Sequence, residues 1–260
     1  MILLREKLDS LYLKYNKFEL IHPDPLEFVY NYNLPEDREI AAIIASSLAY
    51  GRVSQILISV KKILSFLGDY PSKTLLKANF EDIHPDINLF KHRFTTGKEI
   101  FLLLKGIRSI LIKHGSLRNC FCEGEKQFLE RVSNFVSELN IYFDDKKSYL
   151  LPSPKDGSAC KRLMLFFKWM IRKDEVDPGT WNLAVPASEL IIPLDTHMYY
   201  ISRELGFTKR KSADLKTAIE ISRCFKEINP DDPTKYDFTL TRFGIRSDME
   251  YNSLFNLLSY

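Results

Sequence analysis

Val53-Ser54-Gln55-Ile56-Leu57-Ile58-Ser59-Val60-Lys61-Lys62-Ile63-Leu64-Ser65-Phe66-Leu67-Gly68 puts Val53, Ile56, Leu57, Val60, Ile63, Leu64 and Leu67 on one helical face, and Gly68 is placed to end the helix. Working outward, the same period recurs through Ile100, Phe101, Leu103, Leu104, Ile107, Ile110 and Leu111 before Gly115, and again from Phe128 to Leu139. Leu215, Ala218, Ile219, Ser222, Phe225 and Ile228 form a further amphipathic helix between Asp214 and Pro230. Upstream, Asp24-Pro25 and Asp37 read as N-caps for helices over Leu26–Tyr30 and Arg38–Tyr50. Strand-like alternation is nearly confined to Asn140–Phe143 and Leu190–Pro193, both short enough to be loops. The pattern predicts an all-α fold. Two helical lobes, 1–150 and 151–260, would meet near the polar segment Asp144–Asp156 and pack into one unit.

The 260 residues are 45% hydrophobic and 27% charged, with a formal net charge of +3, which excludes a disordered chain or a disulfide scaffold. No apolar run reaches the ~18 residues of a membrane span, so no membrane partner is expected. The start, Met1–Lys7, mixes acidic and basic residues and reads as neither signal nor transit peptide, which predicts a cytoplasmic protein. Cys120, Cys122, Cys160 and Cys224 match no zinc or iron–sulfur spacing; they read as reduced thiols, and neither metal nor cofactor is predicted.

Charge is concentrated where the overall balance hides it. Lys155, Lys161, Arg162, Lys168, Arg172 and Lys173 fall within 155–173 against the single acid Asp156. Gly157-Ser158-Ala159-Cys160-Lys161-Arg162 opens this run, and small residues ahead of a lysine at a helix start suit an anion such as phosphate. The competing reading is a surface helix with Leu163, Phe166, Phe167 and Met170 turned to the core. A second feature, Pro193-Leu194-Asp195-Thr196-His197-Met198, precedes a helical stretch over Tyr199–Leu205 closed by Gly206. Asp195 fits a helix N-cap, and the same geometry would aim an ionised carboxylate in a defined direction.

From Pro193 to Gly244 the chain reads Pro-Leu-Asp-Thr-His, then Leu205-Gly206-Phe207, Lys216-Thr217-Ala218, Pro230-Asp231-Asp232-Pro233 and Tyr236-Asp237-Phe238. This resembles the C-terminal part of the helix-hairpin-helix DNA glycosylase superfamily, the group of endonuclease III and the 8-oxoguanine glycosylases. The resemblance implies Asp195 as the catalytic aspartate. With Leu151-Pro152 and Gly157 standing for the hairpin, it also implies Lys161 as the nucleophile, although the second hairpin glycine is Ala159 and Lys173–Leu190 would be an insertion. Over most of its length the chain is also similar to an uncharacterised bacterial family, domain of unknown function 2400, through Asp37–Ile40, Leu48–Val53, His92-Arg93-Phe94 and Gly157–Arg172.

On that resemblance the expected activity is base-excision repair: flipping a damaged base from double-stranded DNA and cleaving its N-glycosidic bond, with AP-lyase chemistry through Lys161. An ionised Asp195 would stabilise the cationic sugar of the transition state. Arg52, Gly157, Ser158, Arg162, Lys168, Arg172 and His197 are the expected DNA contacts, and Phe166 and Trp169 the base-pocket walls, with Trp181 as further wall material. The expected form is a nucleoid-associated monomer without an iron–sulfur cluster. Two alternatives remain: a non-catalytic helical DNA- or RNA-binding protein, and a helical interaction module without nucleic acid.

Overall fold

In the computed structural model, which describes residues 2–77, 87–124, 127–182 and 184–258, the chain is mostly helical. The helices are α1 (Ile2–Tyr15), α2 (Pro35–Ser47), α3 (Val53–Leu67), α4 (Pro71–Leu76), α5 (Gly97–His114), α6 (Leu117–Cys122), α7 (Phe128–Leu139), α8 (Lys161–Ile171), α9 (Thr196–Glu204), α10 (Leu215–Ile228), α11 (Asp237–Ile245) and α12 (Tyr251–Leu258). The extended backbone assigned to strands among the described residues is a small hairpin, β1 (Lys91–His92) against β2 (Thr95–Thr96). Among the described residues no helix is long and apolar enough to cross a membrane.

The expected helix ends are largely where local chemistry puts them. Gly68 takes φ 70° after α3, and Gly115 sits left-handed after α5, conformations open to glycine at little cost. Asp24, Asp195 and Asp214 each accept a hydrogen bond from a first-turn backbone amide. Asp24, however, caps a 3-10 turn over Pro25–Asn31 rather than an α-helix. Asp37 is no cap: α2 starts at Pro35, and the buried Asp37 carboxylate reaches across to accept from the Ser72 amide at 2.7 Å, tying α4 to α2. Asn140–Phe143 and Leu190–Pro193 are turn and coil.

One apolar cluster runs from Leu8 to Leu258. At its centre α2 packs along α8, and Phe121, Phe135, Phe166, Phe167 and Trp181 interlock with ring centroids 4.5–6.3 Å apart. α1 packs against α10, α11 and α12, so the first helix of the chain lies with the last three. Gly106 of α5 meets α7 so closely that an added Cβ would lie 2.0 Å from the Leu139 carbonyl oxygen, which makes glycine obligatory there.

Residues 173–182, the first part of the stretch read as an insertion, fold back over α8. The Gly179 amide donates to the Trp169 carbonyl at 3.0 Å and the Trp181 amide to that of Met170 at 2.6 Å. The Trp181 indole then donates to the buried Glu39 carboxylate of α2 at 2.6 Å, while the Leu117 amide donates to its other oxygen at 2.8 Å. Burial drives the Glu39 carboxyl up to about 7 against the pull of these donors.

Candidate functional site: a cleft between α2, α8, α9 and α11

Lys161 is the first residue of α8 and Asp195 the N-cap of α9. The fold brings them together: Nζ of Lys161 lies 3.9 Å from Oδ2 of Asp195 at a cleft of about 560 Å³, a volume usual for small-molecule sites. Each oxygen of Asp195 has its own task. Oδ1 accepts from the Met198 amide at 2.7 Å, which fixes the carboxylate, and Oδ2 faces the lysine. Cys160, held left-handed at φ 48°, turns the chain into α8, and Lys161 also donates to the Ala49 carbonyl at 3.5 Å.

The remaining expected site residues divide sharply. His197 lines the cleft, sharing a hydrogen bond through Nδ1 with the Tyr251 hydroxyl, and Trp169 contributes to the wall. Gly157 and Ser158 line an adjoining surface hollow with Tyr149 and Arg162, which also holds Asp156 and Asp214. The Arg162 guanidinium lies between the rings of Tyr50 and Tyr149, 5.0 and 4.8 Å from their centroids, and donates to the Ser47 and Tyr149 carbonyls. Arg52 is exposed at the start of α3, next to the cleft-lining Gly51 and Val53.

Four expectations are corrected. Lys168 is 1% exposed and pairs with Asp177 and Asp237, both at 3.3 Å, so it cannot reach a phosphate. Arg172 is likewise buried, bonded to Asp177, to Asp174 at 2.8 Å and to Asp232 at 2.6 Å. Phe166 is enclosed in the aromatic core beside Phe135 and Trp181 and is not among the residues lining the cleft; Trp181 is enclosed with it. The cause is the return segment, whose Asp174 and Asp177 supply counter-charges from just beyond the basic run. A desolvated cation requires such partners.

Four contributors to the cleft escaped the sequence reading. Asp237, first in α11, lines it close enough to Asp195 for the two charges to repel. Burial, with that repulsion, holds the Asp237 carboxyl up to about 6 against the pull of Lys168. Arg242, one turn further along α11, donates to Asp24 at 2.7 Å. Tyr50 forms the rim, propped by the hairpin: its hydroxyl meets the His92 carbonyl and Thr95 Oγ1, and His92 Nε2 donates back to the Tyr50 carbonyl at 2.9 Å. With Nε2 donating, His92 Nδ1 accepts from Ser59, so the His92-Arg93-Phe94 block acts as a strut for the cleft edge. Asp237 and Arg242 were findable in principle, since an i, i+5 acid and base on a mostly apolar helix need a reason, but only the fold supplies it.

The arrangement defines a mostly helical protein whose partly apolar cleft is lined by the ammonium groups of Lys161 and Lys168, the guanidinium of Arg242 and the carboxylates of Asp24, Asp195 and Asp237. The model of the family described as Protein of unknown function (DUF2400) matches residues 24–246, and the chain belongs to that family. No curated protein and no solved structure matches it.

Proposed function

We propose that the chain is a DNA base-excision glycosylase with AP-lyase capacity, acting on duplex DNA that carries a damaged base. The observation that carries this reading is the approach of Lys161 to Asp195 at one cleft from distant parts of the chain. The resemblance of Pro193–Gly244 to the helix-hairpin-helix glycosylases adds to it, although residues 140–160 ahead of α8 are turns and short 3-10 segments rather than a helix leading into a hairpin.

In this reading an extruded nucleotide enters between Tyr50, Trp169 and Pro193. As the bond from C1′ to the base nitrogen breaks, its electron pair leaves with the base, and the carboxylate of Asp195 stabilises the cationic sugar. The Lys161 ammonium gives a proton to the departing base, its neutral amine bonds to C1′ and passes a further proton to the ring oxygen O4′ as the C1′–O4′ bond breaks to leave an imine, and loss of a C2′ proton to solvent then expels the 3′-phosphate. Arg162, Gly157 and Ser158 on the adjoining hollow, with Arg52 at the rim, hold the backbone phosphates. Association with the nucleoid follows from such contacts.

The test is borohydride trapping on duplexes bearing oxidised, alkylated or deaminated bases. A covalent adduct that vanishes in Lys161→Ala, with excision lost in Asp195→Asn while DNA is still bound, is the expected result. Asparagine caps helices as well as aspartate, so Asp195→Asn keeps the fold. Full excision by Asp195→Asn would refute the role assigned to it. Salt-dependent DNA binding with no excision of any lesion would favour the non-catalytic binding protein.

A further inference from the structure

The strut that braces Tyr50 ends in a tip that bracing does not explain. Register in the hairpin pairs Lys91 with Thr96 and His92 with Thr95, which leaves Arg93 and Phe94 as a two-residue turn. His92, Thr95 and Ser59 make the bonds that hold Tyr50, and neither turn side chain shares in them. Arg93 sits left-handed at φ 52°, in a turn where glycine, asparagine or aspartate is the usual choice. Phe94 is 69% exposed. Two costly choices therefore stand side by side, and backbone strain of this kind gathers at working sites. The tip lies against the cleft rim. The Arg93 guanidinium is over the rings of Tyr50 and Phe94, 6.0 and 5.3 Å from their centroids, and is paired with no acid among the described residues. A Cβ on the cleft-lining Gly51 would lie 2.7 Å from Arg93 Cδ, so the glycine at φ 98° admits the side chain. Tyr149, 56% exposed, stands at 86° to Phe94 with centroids 6.2 Å apart, and the two rings make an open corner.

We propose that the Arg93–Phe94 turn is a nucleotide-binding point outside the cleft, where an unpaired base stacks on Phe94 and its phosphate meets Arg93. DNA whose duplex gives way to a single strand beside the cleft, at a gap or a tail, is then preferred over fully paired duplex. The proposal rests on the glycosylase reading for the choice of DNA and not on the chemistry of Lys161 and Asp195. Every base has a π-face, so an exposed ring beside a guanidinium takes an unpaired base of any sequence. A base inside a duplex has both faces covered by its neighbours and shows only its edges, so it cannot use the ring. The charge around the tip agrees. Lys91, Arg93 and Lys98 fall within 91–99 against Glu99 alone, and that carboxylate accepts from the Thr96 amide and hydroxyl. A protein partner is the poorer occupant, since the core of a protein interface is depleted in charge and this ring is set among cations.

The experiment measures fluorescence anisotropy of the full chain, over a series of salt concentrations, with a fully paired duplex and with the same duplex carrying a single-stranded tail. The wild type is expected to bind the tailed DNA about five- to a hundredfold more tightly, the range that one base on one aromatic ring supplies. Phe94→Ala, a change at an exposed turn, is expected to lose that preference with paired-duplex affinity unchanged. Arg93→Gly suits the left-handed turn and should unfold no more readily than wild type, yet its salt slope on the tailed DNA should be shallower by about one. With 5-iododeoxyuridine in the tail, light is expected to crosslink the wild type at Phe94 or Tyr149, a readout independent of whether any variant folds. Equal affinity for the two DNAs, a Phe94→Ala protein that keeps the preference, or a crosslink mapped away from the turn overturns the proposal. Each of these leaves the glycosylase reading to be judged by borohydride trapping. Binding to neither DNA overturns both and leaves the tip to a protein partner.

Discussion

Replacing Lys168 with methionine separates a structural cation from a nucleic-acid contact. The side chain is 1% exposed and neutralises Asp177 and Asp237, each 3.3 Å away. Removing it leaves Asp177 with Arg172 but strips Asp237 of its cation while Asp195 and Asp177 still repel it. Breaking a buried ion pair from one side costs about 3–5 kcal/mol. For a chain near this size that is a fall in Tm of about 6–20 °C. The loss depends on pH with a definite sign. Asp237 already holds its proton up to about 6, above its ordinary 3.8, so stability associated with that proton is present at low pH and fades as pH rises through 6. Without Lys168 the carboxyl rises further, and Lys168→Met should therefore be closer to wild type at pH 5 than at pH 8. The double variant Lys168→Met/Asp237→Asn should recover part of the loss. Urea unfolding at the two pH values gives the stabilities, and anisotropy against salt gives the DNA contact. A Lys168→Met protein with wild-type stability but a salt slope shallower by about one would refute the buried-network account.

Gly106→Ala should lose about 1–3 kcal/mol in urea unfolding despite alanine's helix preference, because its Cβ would strike the Leu139 carbonyl at 2.0 Å; an unchanged midpoint would show that α5 and α7 can part. Gly244→Ala places a Cβ 2.3 Å from His197 Nδ1 and 2.1 Å from the Tyr251 hydroxyl, so under the proposed glycosylase function it should depress excision more than Tm; normal turnover would remove His197 from the working site. Burial raises Glu39 from 4.5 to about 7, so its proton stabilises the fold below about 4.5 and that contribution is lost as pH rises through 7. Wild type should thus weaken relative to Glu39→Gln by up to about 3 kcal/mol between pH 5 and 8. Parallel unfolding curves for the two would contradict it.

Much of the scaffold was legible because its signals are local. The apolar period of Val53–Leu67, the glycines closing α3 and α5, and the aspartates capping α9 and α10 depend on neighbours within one turn. The meeting of Lys161 and Asp195 could be anticipated only through resemblance, since nothing near either residue reports the other. Asp37 shows the limit of local reading: its position near a helix start suits a cap, but Pro35 begins the helix and a long-range bond to Ser72 claims the carboxylate. Lys168 and Arg172 failed for a related reason. Exposure was inferred from a charge run whose neutralising acids begin at Asp174, one residue past its end.

On a topology diagram residues 173–190 look like a dispensable excursion, the first thing to trim when building a smaller scaffold from this fold. Cutting them out would remove Asp174 and Asp177, leave Lys168 with only the carboxylate of Asp237 and Arg172 with only that of Asp232, and take away the indole that spans α8 and α2. A shortened chain of that kind should accumulate as insoluble protein, whereas grafts placed at the exposed turn around Asp144 and Asp145 leave those ties intact.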